Sequence, residues 1–189
     1  MRHAETDWNR QRRYQGHADR PLTPRGERRT RNLAARLAGM GFSRVVTSGL
    51  LRTDALGERV AGEPRHLLRD ARWREVDHGA WEGLTAEEVR TRFPGALEAR
   101  YADPWSSRAH GGECAAELWA RVEAAWRGLL ASCQGERVLV VTHAAPIQLL
   151  VCAARGRPLP QHVAIPVPLG GLTRLEVSGE TAAVGGTRT

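Results

Sequence analysis

Apolar positions along this chain alternate between two periods, and the alternation predicts α and β elements in turn. Residues 23–39 read as a helix: Thr23 caps it, Pro24 takes the first helical position, and Leu33 and Leu37 lie one turn apart. Gly39 and Gly41 end it, and Arg44–Ser48 follows as a short β-branched strand. A helix is predicted from Leu51 to about Ala61. Thr85 with Glu88 forms a capping box that opens a short helix, which Pro94-Gly95 stops. Residues 113–132 carry the clearest helical spacing, through Leu118, Val122, Trp126, Leu129 and Leu130. Arg137–Thr142 is an almost unbroken apolar run, the pattern of a strand covered on both faces. Pro146–Ala154 reads as a helix, and the tail as strands near 162–167, 172–177 and 181–184. Strands alternating with helices predict a three-layer α/β/α architecture around a mostly parallel sheet. Ligands of such sheets sit beyond the carboxyl ends of the strands, where Ser48 and His143 fall.

Composition narrows the classes. With 189 residues the expectation is one domain with a real core. All basic residues are arginine, and the formal charge of +7 favours anionic partners. Nine of those arginines fall within residues 1–31, against Glu5, Asp7, Asp19 and Glu27, which also reads as a solvated basic face. No zinc-finger spacing, heptad or aromatic-interleaved basic tract points to nucleic acid, and no apolar run of membrane length occurs. Cys114, Cys133 and Cys152 form no CxxC and read as buried thiols of a cytoplasmic protein. The expected partner is a small anionic molecule, with no nucleic acid, no membrane and no cofactor; a homodimer is compatible with the sequence.

The chemistry lies in five dispersed residues. Phosphoryl transfer through histidine needs a neutral imidazole, cations for the phosphate oxygens and an acid for the leaving oxygen. His3 beside Arg2 offers nucleophile and clamp, and Arg52, just past the first strand, a second clamp. His143 ends the most apolar strand, a costly place for an idle polar group. Glu75 stands in Trp73–Gly83, a segment too rich in Gly and Trp for a surface helix, and can serve as acid and then base. Each residue taken alone has a structural reading; the ordered set does not.

That set resembles the histidine phosphatase (phosphoglycerate mutase-like) superfamily. Arg2-His3-Ala4-Glu5-Thr6 resembles its Arg-His-Gly-Glu-Thr signature, and Asn9 with Arg13-Tyr14-Gln15-Gly16 resembles its continuation. Pro21–Gly26, Thr47–Thr53, Arg74–Gly83, Gly111-Gly112-Glu113 and Val141–Ala145 match further motifs in order over nearly the whole chain. The resemblance implies that His3 accepts the phosphoryl group, that Arg2, Arg52 and His143 bind its oxygens, and that Asn9 adds a contact. Glu75 then protonates the leaving alcohol and activates water, with no metal. Ala4 and Ala144 stand where the family has glycine, and Gly49 where it has proline, which is expected to loosen the turn before Arg52. The family carries a strand ahead of the signature, so the first central strand is expected to be truncated at the N-terminus, with an apolar stretch encoded upstream.

The resemblance divides into branches. Mutases carry a longer insertion between the acid and Gly-Gly-Glu, whereas only residues 84–110 intervene here as a lid-like insertion. The expected activity is therefore that of a broad-specificity or α-ribazole-phosphatase-like hydrolase. Arg92, Arg100, Arg108 and His110 in the insertion are candidates for the anionic part of a substrate. The alternatives are a mutase, a noncatalytic phosphate-ligand binder, and a basic protein that binds nucleic acid.

Overall fold

The computed structural model describes residues 1–178 and 181–188. A parallel sheet runs in the order β2–β1–β3, with β1 Arg44–Thr47, β2 Leu67–Arg69 and β3 Val138–Val141. Neighbouring residues of β1 face opposite ways. Val45 packs with Leu33, Leu37 and Leu56, from α2 (Pro24–Leu37) and α3 (Leu51–Ala61). Val46 packs with Leu118, Val122 and Leu149, from α6 (Ala115–Ser132) and α7 (Ala144–Ala154). Both faces of the sheet are thus covered by helices, as the β-branched and unbroken apolar strands predict.

Beyond β3 the sheet continues through the first residues of the chain. The expected first central strand is present as a single parallel bridge between Arg2 and Thr142. Thr142 N–H donates to the Met1 carbonyl at 2.8 Å, and His3 N–H to the Thr142 carbonyl at 3.1 Å. On the other side, Arg2 N–H donates to Gly171 and Gly170 N–H to His3, so the signature residues are paired on both edges. His3, Ser48 and His143 consequently emerge together at the carboxyl ends of neighbouring parallel segments.

The remaining elements differ from the sequence pattern where that pattern is weakest. A one-turn helix α1 (Asp7–Arg10) is closed by a capping box between Thr6 and Asn9. Residues 84–110 hold α4 (Ala86–Arg92) and α5 (Ala96–Ala102), gathered round their own cluster of Trp81, Val89, Leu97 and Ala109. Helix α7 starts at Ala144, two residues before the expected Pro146, because a proline is tolerated in the first turn. The strand expected at 162–167 is absent: Leu159–Ala164 is a 3-10 helix. Pro158, Pro160, Pro166 and Pro168 remove four ladder donors from this stretch. The chain ends in a hairpin of β4 (Leu172–Ser178) and β5 (Thr181–Arg188), longer than the expected 181–184.

Candidate active site

Two imidazoles form the centre. His3 and His143 meet edge to face with ring centroids 5.2 Å apart, and both are buried. His3 Nδ1 lies 2.7 Å from the Ala4 carbonyl. A carbonyl can only accept, so Nδ1 carries the hydrogen and the neutral ring presents its Nε2 lone pair. Burial, and then the charges of Arg52 and Arg2, hold His3 well below the ordinary histidine pKa. Burial followed by Arg52 does the same to His143. Both rings are therefore neutral, as a nucleophile requires.

The second imidazole is oriented by hydroxyls. Arg52 Nε donates to His143 Nδ1 at 3.3 Å, so the ring hydrogen sits on Nε2 and donates to Ser48 Oγ at 2.8 Å. Ser48 Oγ then donates to Thr53 Oγ1 at 3.0 Å, and Thr53 to the Leu50 carbonyl at 2.8 Å. Gly49 has a φ of 75°, which proline cannot adopt. The turn to Arg52 is nonetheless fixed by this hydroxyl chain.

Arg52 is 1 % exposed. Its Nη1 donates to the Ala18 carbonyl at 2.9 Å and its Nη2 to the Gly16 carbonyl at 2.6 Å. Burial lowers its pKa to about 10, still charged at neutral pH. The 16–18 loop is held in turn by Glu82, whose carboxylate accepts from the N–H groups of Gly16, His17 and Ala18 at 2.7, 2.8 and 3.3 Å. A Cβ on Gly16 would lie 2.2 Å from the Val76 carbonyl and 2.5 Å from Glu82, so only glycine fits this approach. Arg2 donates to the Val167 carbonyl at 2.6 Å, and its buried Nε has no hydrogen-bond partner among the described residues. Burial lowers the Arg2 pKa, and the charge of Glu75 opposes that shift.

Glu75 sits at the N-terminus of α7. Its Oε1 accepts from Val76 N–H at 3.0 Å, and its Oε2 accepts from Ala144 N–H at 3.0 Å. Ala145 N–H adds a 3.2 Å bond to Oε1. Glu75 and Ala144 also line a cleft of about 430 Å³, whose other walls include Tyr14, His78, Trp81, Tyr101 and His162. His3, Arg2, Arg52 and His143 are not among the lining residues, whereas Glu75 lines the cleft and its charge acts on both Arg2 and Arg52.

The structure separates the remaining candidates. Asn9 uses its Oδ1 to accept from Thr6 N–H and Thr6 Oγ1, closing α1. Of the four insertion residues, Arg100 lines the cleft, whereas Arg92, Arg108 and His110 do not. Arg108 is paired with Glu117, and Arg92 and His110 are exposed. Sequence reasoning missed His78 and His162 as cleft walls. Burial lowers the His78 pKa to about 3 and that of His162 in the same direction, so both walls are neutral. A histidine between Asp77 and Gly79, beside two tryptophans, was the available signal for the first.

The family model described as "Histidine phosphatase superfamily (branch 1)" matches residues 1–187. The chain belongs to the histidine phosphatase superfamily. Among its relatives in that superfamily, "Phosphoserine phosphatase 1" of Hydrogenobacter thermophilus is 32% identical over 158 residues, covering 82% of this chain and 74% of that protein. "Probable phosphoglycerate mutase GpmB" of an Enterobacter species is 35% identical over 167 residues, covering 84% and 74%. The solved structure of the alpha-ribazole phosphatase from Shigella flexneri superposes with a TM-score of 0.88 at 25% identity, over 97% of this chain and 92% of that one. The chain is thus similar both to proteins named as phosphatases and to one named as a probable mutase.

Proposed function

We propose that the chain is a phosphomonoester hydrolase that works through a phosphohistidine. One observation carries the reading: a buried, neutral His3 whose hydrogen sits on Nδ1 and whose Nε2 keeps its lone pair, grouped with half-buried Arg2 and buried Arg52 and His143, with Glu75 lining the cleft. In this reading the phosphoryl group sits among the two guanidiniums and His143. Nε2 of His3 attacks phosphorus, the ester P–O bond breaks, and Glu75 gives its proton to the departing oxygen. Glu75 then takes a proton from water as that water attacks phosphorus; the P–N bond breaks, its electron pair returns to His3 Nε2, and orthophosphate leaves. The charge that develops is met by fixed arginines, so the step runs without a metal. The whole chain acts as one domain, with residues 84–110 as its lid.

The cleft favours hydrolysis of esters whose alcohol has a flat or apolar body. Tyr14, Trp81, Tyr101, Pro104 and Val163 line it, and Arg100 supplies a cation for one anionic group. Tyr101 is 63% and Val163 57% exposed, so the mouth admits water to the phosphorylated enzyme. This supports a broad-specificity or α-ribazole-phosphatase-like hydrolase over a mutase. The test is steady-state turnover of a phosphomonoester panel in EDTA, wild type against His3→Ala. Phosphate release by the wild type and a loss of about 10⁴-fold or more in the variant are expected. Equal rates reject His3 as nucleophile, and isomerisation of 3-phosphoglycerate without phosphate release moves the chain to the mutase branch.

A further inference from the structure

The loop that carries Glu75 is held from behind by one side chain. Arg121 of α6 sends Nη1 to the carbonyls of Arg72 and Arg74, both at 2.8 Å, and Nη2 to the carbonyl of Glu75 at 2.8 Å. Its Nε and Nη2 close a two-pronged pair on Glu113, each at 2.7 Å. A guanidinium has five N–H donors, and all five are used here. Glu113 in turn accepts from Asp77 N–H at 3.2 Å and donates its own N–H to the Asp77 carbonyl at 2.9 Å. The one carbonyl that Arg121 skips, that of Trp73, accepts from Thr142 Oγ1 at 2.6 Å, next to His143. Every carbonyl from Arg72 to Glu75 is thus bonded from outside the loop.

Residue 75 is therefore gripped from two sides. Its carbonyl is fixed to α6 through Arg121, and its carboxyl to the first N–H groups of α7. The Gly-Gly before Glu113 serves the same arrangement, since a Cβ on Gly112 would lie 2.6 Å from the Asp77 carbonyl. We propose that Arg121 and Glu113 are positioning residues that set where the Glu75 carboxyl stands at the cleft, and so control proton delivery to the leaving oxygen. The inference rests on Glu75 being the proton donor. Lysine cannot replace Arg121, because three donors on one nitrogen do not span three carbonyls and a carboxylate.

A leaving-group comparison tests it. An aryl ester such as 4-nitrophenyl phosphate expels its oxygen with little help, whereas an alkyl ester such as 2-phenylethyl phosphate needs the proton. kcat/KM on both is measured for wild type, Glu75→Gln, Arg121→Lys and the milder Glu113→Gln. A misplaced acid lowers kcat/KM on the alkyl ester by about 10²-fold and changes the aryl ester far less. Arg121→Lys is expected to follow that pattern, and Glu113→Gln to follow it more weakly. Partial unfolding lowers both substrates equally, because their ratio does not depend on the folded fraction. Equal losses on the two esters in Arg121→Lys and Glu113→Gln, beside a selective loss in Glu75→Gln, overturn the positioning role and leave the acid in place. A Glu75→Gln variant with no leaving-group selectivity overturns the acid reading, and the positioning role with it.

Discussion

At the residue scale, the central fact is that four groups at one point compete over charge. Arg2, half-buried, and Arg52, buried, are basic, and the two imidazoles beside them stay neutral. His143 Nδ1 serves as acceptor to Arg52 Nε. A dianion placed among these groups reverses the balance, because it favours the charged form of each neighbour. The lowered pKa of His143 then rises, and its Nδ1 turns from an acceptor into a donor toward the anion. Tungstate, a dianion throughout the neutral range, is therefore expected to bind with net proton uptake near pH 7. Calorimetry in buffers of different ionisation enthalpy measures that uptake, and His143→Gln is expected to remove most of it. Binding without any proton uptake in the wild type would show that the imidazole stays neutral against the anion.

At the element scale, short loops hold what the strands deliver. Strand β1 and helix α3 bring Arg52 to the centre, but the 16–18 loop holds it there through two carbonyls, and Glu82 holds that loop through three N–H groups. Glu82→Ala leaves those N–H groups without their acceptor and frees Arg52 to shift. It is expected to lower kcat/KM on 4-nitrophenyl phosphate by about 10²-fold, the scale of losing one group that meets transition-state charge. Glu82→Gln, which keeps two acceptor positions, is expected to lose less. Unchanged rates in a folded Glu82→Ala protein would refute this chain of support. The same contrast explains what the sequence made legible. Arg52 and His143 stand out just past readable apolar runs, His3 by its place beside Arg2, and Glu75 by its Gly- and Trp-rich segment. The grip on them is made by backbone carbonyls of Gly16 and Ala18 and by Arg121, and no periodicity marks those. Elements of three or four residues, such as β2 and α1, are too short to carry a period. Helix α5 was hidden because Pro94-Gly95, read only as a stop for α4, also supplies its N-cap at Gly95. No strand forms at 162–167, because the prolines on either side of Val163 and Ile165 lack the N–H groups a ladder needs.

At the scale of the whole molecule, the buried imidazoles tie stability to pH. His3, His78, His143 and His162 all have lowered pKa values, each with burial as the largest cause. In the unfolded chain each returns to about 6.5. Above that pH neither state binds these protons, and their contribution to stability is fully present. Below it the unfolded state takes up protons that the native state refuses, so stability falls as pH drops from about 6.5 toward each native value, about 3 for His78. Every imidazole that stays neutral costs about 1.4 kcal/mol per pH unit in this window. The carboxylates with lowered pKa values, Asp7, Asp70 and Asp103 from 3.8 and Glu88, Glu98 and Glu117 from 4.5, act in a lower window, so the two effects separate. Urea unfolding at pH 7, 6 and 5 is expected to show the free energy falling steeply over the last two points. His78→Gln removes one titrating group that lies in the cleft wall and not at the centre. It is expected to flatten the slope by the share of one proton while the remaining imidazoles keep it positive. A free energy independent of pH between 6.5 and 5 would mean that these rings take up protons in the folded state. The neutral nucleophile on which the chemistry depends would then be lost in the same range.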